Sequence, residues 1–238
     1  GMHGDRPVTI ATAETPRGVV VLRRRRTPHT TVIELISNGT FVMDTVDTST
    51  ERSLARNALA ALRANRSACP AVRVTVAGLG LGFTAHEILA DRDVERIDVV
   101  EIEPAVVEWV RKGLVPETTG VLDDPRVHTH VADIRHWLPT RPAASTDVVL
   151  LDVDNGPDFL VHRANTEVYE QPFLTAVKRV LRPGGVIGVW SASRATRLQR
   201  RLEATFGTCQ EFRQTVTREG REFDYFCYVA RQSAPLEV

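Results

Sequence analysis

The stretch Val72-Arg73-Val74-Thr75-Val76-Ala77-Gly78-Leu79-Gly80-Leu81-Gly82-Phe83-Thr84 decides how the rest of the chain is read. A β-branched run, Val72 to Ala77, ends in three alternating glycines, and a helical pattern from Thr84 to Leu89 follows directly. A strand that turns tightly into a helix through glycines is the opening of a doubly wound α/β sheet. The glycines let the backbone come close to a ligand, and the turn presents amide donors.

Working forward from this turn, apolar strands alternate with amphipathic helices: Ile97 to Val100 then Pro104 to Val110, Val127 to Val131 then Ile134 to Leu138, Val148 to Leu151 then Thr166 to Leu181. Continuous apolar strands between such helices predict a parallel sheet covered on both faces. Arg182-Pro183-Gly184-Gly185 is expected to stop the long helix before a strand from Val186 to Trp190. A helix from Ala195 to Phe206 then precedes two strands, Gln210 to Val216 and Phe223 to Ala230, joined at Arg218 to Gly220. The predicted fold is therefore α/β, a doubly wound and mainly parallel sheet of the S-adenosylmethionine-dependent methyltransferase type with an antiparallel last strand.

Working backward, Pro7 to Ala13, Gly18 to Leu22, Thr31 to Ile36 and Thr40 to Met43 are short β-branched runs, with a turn signal at Ser37-Asn38-Gly39. They predict a small N-terminal antiparallel β piece. Thr48 and Glu51 have the spacing of a capping box at the start of a helix. The expected organisation is a β region over 1–50, a linking helix and loop over 51–70, and a nucleoside-binding Rossmann-like domain over 71–238.

Composition narrows the function classes. Lys plus Arg and Asp plus Glu are equal at 30 each, so no global field favours nucleic acid or an acidic membrane surface. No apolar run reaches membrane-spanning length. Cys69, Cys209 and Cys227 lack CxxC spacing, no secretory leader is read, and a cytoplasmic placement is expected. His128 and His130 share a strand face without a third ligand nearby, so no metal is expected.

In an open doubly wound sheet the informative residues follow each strand. Gly78, Gly80, Leu81 and Gly82 follow the first. Glu101 ends the second, 23 residues beyond Gly78, where a carboxylate can accept from both hydroxyls of a ribose. Asp133 follows the third and can accept from an adenine amino group, with Ile102 and Ile134 as apolar walls. After the fourth, Asp152, Asp154, Asn155 and Asp158 set carboxylates over the same crevice, with Tyr169 near enough to line an acceptor pocket. Together these positions point to a nucleoside site. The antiparallel hairpin and Asp133 favour a sulfonium nucleoside over NAD.

The run from GLGLGF through VEIEP, VADIRHWL and VLLDVDNGP to LRPGG resembles the spermidine synthase family of aminopropyltransferases, over about residues 70 to 230. The resemblance implies that Glu101 holds the ribose, that Asp133 holds the adenine, and that Asp152 is the catalytic carboxylate that orients or deprotonates an attacking amine. It also implies a homodimer or tetramer. Three departures bear on activity. Leu81 stands where the family has an Asp that holds the aminopropyl amine and repels a carboxylate. Asn155 takes the place of a second Asp, with Asp154 one position earlier. Val42, Glu51 and Arg52 lie near positions where the family has a Gln and a Tyr-His pair.

On those departures the expected co-substrate is S-adenosylmethionine or its decarboxylated form. Methyl transfer to a small acceptor reads ahead of aminopropyl transfer to a polyamine, and a non-catalytic nucleoside-binding relative is the third alternative. The expected partner is a small-molecule acceptor, an amine among the candidates, with neither nucleic acid nor membrane.

Overall fold

The computed structural model describes residues 6–64, 66, 71–151, 170–218 and 220–232. Asp152, Asp154, Asn155, Asp158 and Tyr169 all lie outside the described residues, as does Cys69.

Seven strands form the main sheet: β5 (Val72–Ala77), β6 (Val94–Glu101), β7 (Val127–Val131), β8 (Thr146–Leu151), β9 (Leu181–Ser191), β10 (Cys209–Arg218) and β11 (Arg221–Arg231). Their spatial order is β10-β11-β9-β8-β5-β6-β7. The five strands from β9 to β7 run parallel, and β11 pairs antiparallel with both β9 and β10. All six residues of β8 are buried, as a central strand covered on both faces requires. The chain reverses its direction of winding between β5 and β8, so their carboxyl ends flank the crevice where this architecture places ligands.

Each face of the sheet has its own core. One is built with α1 (Ser49–Ala64), α2 (Phe83–Leu89) and α3 (Pro104–Arg111), the other with α4 (Ile134–Trp137), α5 (Gln171–Val180) and α6 (Thr196–Phe206). Helix α1 buries Leu54, Ala55, Ala58, Leu59 and Leu62. It comes so close to β9 at Gly188 that a Cβ there would stand 3.1 Å from Leu54 Cδ1 and 2.9 Å from Leu150 Cδ2.

Two sequence expectations change locally. The helix does stop at Val180, but β9 begins at Leu181 without a separate loop. Leu181 pairs with Thr146 before a register shift, so the Arg182-Pro183-Gly184-Gly185 run is absorbed as an irregularity inside the strand. The Thr48–Glu51 capping box is replaced by Asp47, whose Oδ1 accepts the Ser49 amide at 2.9 Å. The Glu51 side chain instead accepts from Thr50 Oγ1 at 3.1 Å in a buried position. Burial of Glu51 leaves the exposed capping role to a neighbour.

The N-terminal strands β1 (Val8–Thr15), β2 (Gly18–Arg26), β3 (Thr31–Ser37) and β4 (Thr40–Asp44) make a separate antiparallel sheet in sequential order. Val20, Leu22, Ile33 and Leu35 join the same core as α1 and α2. Polar contacts tie this sheet to the carboxyl edge of the main one: Arg17 pairs with Glu103 after β6, and Arg218 at the hairpin end approaches Asp44 at 3.9 Å.

Candidate functional site at the glycine turn

The turn Gly78–Gly82 links β5 to α2, and all three of its glycines have positive φ: 94° at Gly78, 54° at Gly80 and 94° at Gly82. That backbone favours residues without a Cβ. Every amide in the turn is committed. The Gly78 N–H donates to Val100 O at 2.8 Å, and that of Gly82 donates to Leu79 O at 3.0 Å. Glu101 Oε1 accepts the Leu79 amide at 2.9 Å, Oε2 accepts the Glu103 amide at 2.9 Å, and the Gly80 amide adds a further bond. Leu81 N–H is covered by the Met43 sulfur at 3.3 Å.

Glu101 is 8% exposed. Burial pushes its carboxyl above the ordinary carboxylate value, while the amides of Glu103, Leu79 and Gly80 work the other way. The residue expected to hold a ribose therefore also holds the turn together. An ionised carboxylate has about four lone-pair sites, so two committed oxygens still leave acceptor capacity.

Asp133 is the N-cap of α4, accepting the Arg135 amide at 2.9 Å and the Arg135 Nε at 3.0 Å. Burial opposes its charge, but the Arg135 guanidinium and amide prevail and hold the carboxyl below its usual range. Ile102 is half-buried beside the site, its carbonyl accepting from Arg17 Nη2 at 3.2 Å. Ile134 is buried and packs in the core shared with Val100, Leu138 and Leu151. Leu81 is 2% exposed and belongs to the opposite core.

The structure thus brings Gly78, Gly80, Gly82, Glu101 and Ile102 to one edge, with Asp133 at the end of the neighbouring strand. It encloses Leu81 and Ile134. Sequence reasoning missed Met43, Arg17 and Thr118. Thr118 Oγ1 donates to Leu81 O at 2.7 Å, and a Cβ on Gly82 would come within 3.1 Å of that side chain. None of the three carries a local signal, because each comes from a distant element: Met43 and Thr118 reach the turn, and Arg17 reaches Ile102 and Glu103 beside it.

Beside the turn lies a second group of titratable side chains. Met43 sits on the turn, Asp44 follows it, and Asp44 and Glu51 are both buried near Arg218 and Tyr225. Burial pushes both carboxyls above their ordinary values, Arg218 acting in the opposite sense. Burial also pushes the Cys209 and Cys227 thiols up to about 12, which removes both as thiolate nucleophiles near neutral pH. His130 Nε2 meets Asp98 at 2.8 Å, and no group of three or more metal-ligating side chains occurs among the described residues. Among the same residues, no helix is long and apolar enough to cross a membrane.

Strand order, the antiparallel closing strand and the glycine turn define the methyltransferase-like form of the doubly wound fold. Residues 67–215, more than half of the chain, match the spermine/spermidine synthase domain, and the chain belongs to that family. It is 36% identical over 123 residues to spermidine synthase 1 of Hyoscyamus niger, a match covering 51% of this chain and 36% of that protein. It is 34% identical over 117 residues to putrescine N-methyltransferase 1 of Nicotiana tabacum, covering 48% of this chain and 29% of the relative. The matched stretch thus spans about a third of these curated relatives. The spermidine synthase structure from Thermotoga maritima superposes with a TM-score of 0.75 over 95% of this chain and 73% of that one, at 18% identity, a likeness of fold.

Proposed function

We propose that the chain transfers an aminopropyl group from decarboxylated S-adenosylmethionine to a small amine. The observation that carries this reading is the glycine turn, in which every amide already has an acceptor. A carboxylate tail, as in ordinary S-adenosylmethionine, would meet no free backbone donor there, and an unpaired buried carboxylate is costly. The spermidine synthases among the relatives support the same direction, which reverses the sequence-based order of methyl over aminopropyl transfer.

In this reading Glu101 accepts from the ribose while bracing the turn, and Asp133 accepts from the adenine. The acceptor amine comes between the turn and the hairpin end, where Asp44 and Glu51 supply negative charge. The reaction is an in-line displacement: the amine nitrogen bonds to the aminopropyl carbon, the carbon–sulfur bond breaks, and its electron pair returns to the sulfonium. Methylthioadenosine leaves, and the amine loses one proton. Asp152 is the carboxylate proposed to receive or orient that proton, with Asp154, Asn155 and Tyr169 proposed around the acceptor. A cytoplasmic enzyme acting as a homodimer belongs to the same proposal.

Incubation with the decarboxylated donor and a panel of diamines, followed by mass analysis, should yield methylthioadenosine. Formation of S-adenosylhomocysteine from ordinary S-adenosylmethionine instead would favour methyl transfer, the second reading, which the putrescine N-methyltransferase relative and Leu81 support. Binding of either donor without turnover on any amine would sink both.

Glu51 gives a separate test of the acceptor side. Its raised pKa means that ionisation costs folding stability, since a carboxyl raised in the folded state stabilises below its unfolded pKa and loses that contribution as pH rises through its folded one. Glu51→Gln is therefore expected to raise stability at neutral pH while weakening amine binding roughly tenfold. Parallel thermal melts and diamine titrations check this, and a variant that binds diamines normally would remove Glu51 from the acceptor site.

A further inference from the structure

Met43, on β4 of the N-terminal sheet, lies on the glycine turn itself. Two contacts define its position. Its sulfur is 3.3 Å from the Leu81 nitrogen, as acceptor of that amide. A Cβ built on Gly80 would stand 2.6 Å from the Met43 sulfur and 2.7 Å from its methyl carbon. A side chain at position 80 would have to displace the end of the thioether, and the positive φ of 54° at Gly80 disfavours one in any case. Met43 pairs in register with Leu35 on β3, and Thr118 Oγ1 donates to the Leu81 carbonyl at 2.7 Å. Leu81 is thus met at its amide by Met43 and at its carbonyl by Thr118.

A thioether is a weak hydrogen-bond acceptor. It satisfies the Leu81 amide in a place where no water or ligand oxygen need enter, but a carboxylate oxygen would satisfy it far better. The Leu81 amide is therefore a donor of latent value to an anionic ligand tail, and Met43 covers it. The other four amides of the turn cannot substitute, being bonded to Val100, Glu101 and Leu79.

We infer that Met43 is a specificity-determining residue: seated on Gly80 and capping the Leu81 amide, it excludes the carboxylate of undecarboxylated S-adenosylmethionine from the turn. This inference rests on the proposed seating of a sulfonium nucleoside at the turn, and it adds the residue that selects between the two donors. The decarboxylated donor carries only an ammonium on its tail, needs no backbone N–H, and can lie beside the thioether. The ordinary donor must either displace Met43 or leave its carboxylate without a donor.

Calorimetric titration of the full chain with both donors tests this, using the wild type, Met43→Ala and Met43→Leu. Met43→Ala uncovers the amide and should shift the affinity ratio toward ordinary S-adenosylmethionine by roughly tenfold, the worth of one hydrogen bond to a charged group. Met43→Leu keeps the bulk without the sulfur and should retain the wild-type ratio, while melting curves establish that both variants fold. An unchanged ratio in a folded Met43→Ala variant that binds both donors overturns the role of Met43 and leaves the nucleoside site standing. A ratio shifted as far by Met43→Leu as by Met43→Ala overturns the steric account. Failure of the wild type to bind either donor, or methylthioadenosine, overturns the nucleoside reading together with the inference.

Discussion

Glu101→Ala should weaken nucleoside binding severely and destabilise the fold, two effects with one cause. The carboxylate accepts from the amides of Leu79, Gly80 and Glu103, so its removal strands three donors in a buried turn. Each buried amide left without a partner costs about 1–3 kcal/mol. Part of this is offset because a buried charge disappears with the side chain. A net loss of about 3 kcal/mol follows, which for a domain of this size lowers Tm by roughly 10 °C. Methylthioadenosine is the informative ligand, since it has ribose and adenine but no charged tail. Its affinity should fall more than about 100-fold, through lost acceptor capacity and a turn no longer held in shape. Glu101→Gln should fall between, because its carbonyl can serve one amide while its NH2 group opposes another. Wild-type affinity for methylthioadenosine in a folded Glu101→Ala variant would mean that the ribose is held elsewhere.

The same residue shows how far the sequence could be read. Strand-end positions are legible because strands are continuous apolar runs and the residue after each must face the carboxyl edge. Glu101 and Asp133 follow from that rule, as do the order of elements and the antiparallel hairpin at the end. The reading misses what Glu101 does before any ligand arrives, since its bonds to Leu79 and Gly80 are made across two strands. The failure at Glu51 has a similar origin. The Thr48-to-Glu51 spacing suits a cap, yet spacing says nothing about whether the third residue of the helix will be buried, and here it is. Met43 lay furthest from view. It is the fourth of five residues in a short strand with no distinctive sequence, and only the seating of the small sheet on the carboxyl edge brings it to Gly80. Ile134 shows a further gap: its position after a strand suggests a wall for a ring, and that reading gives no sign that its side chain also packs in a core. Position relative to a strand end predicts the neighbourhood of a residue well and the direction of its side chain poorly.

Leu81→Asp brings these points to one position, and its effect should be large. The resemblance implies a carboxylate at the position of Leu81, but the structure encloses this side chain, 2% exposed, in the core shared by α1, α2 and α3. An Asp introduced there loses the burial of a leucine and gains a poorly solvated charge. Together these should cost about 4 kcal/mol, near the upper end for a single substitution. The sign of the pH dependence follows from burial. The introduced carboxyl has its folded pKa raised above the unfolded value, so the variant approaches the wild type below the unfolded pKa and falls away as pH rises through the folded one. Melts at pH 5 and pH 8 should therefore show a smaller gap between variant and wild type at the lower pH. A bound ammonium changes the balance by supplying the missing counter-charge. The decarboxylated donor should rescue the variant's Tm more than ordinary S-adenosylmethionine does, and the affinity ratio should move toward it by about tenfold, the equivalent of 1.4 kcal/mol. Because Leu81 and Met43 touch through the turn, the two substitutions should not be additive, and combining Leu81→Asp with Met43→Ala should give less than the sum of opposing shifts. If Leu81→Asp destabilises as expected and neither donor rescues it preferentially, the side chain faces the core alone, and discrimination between donors rests with Met43.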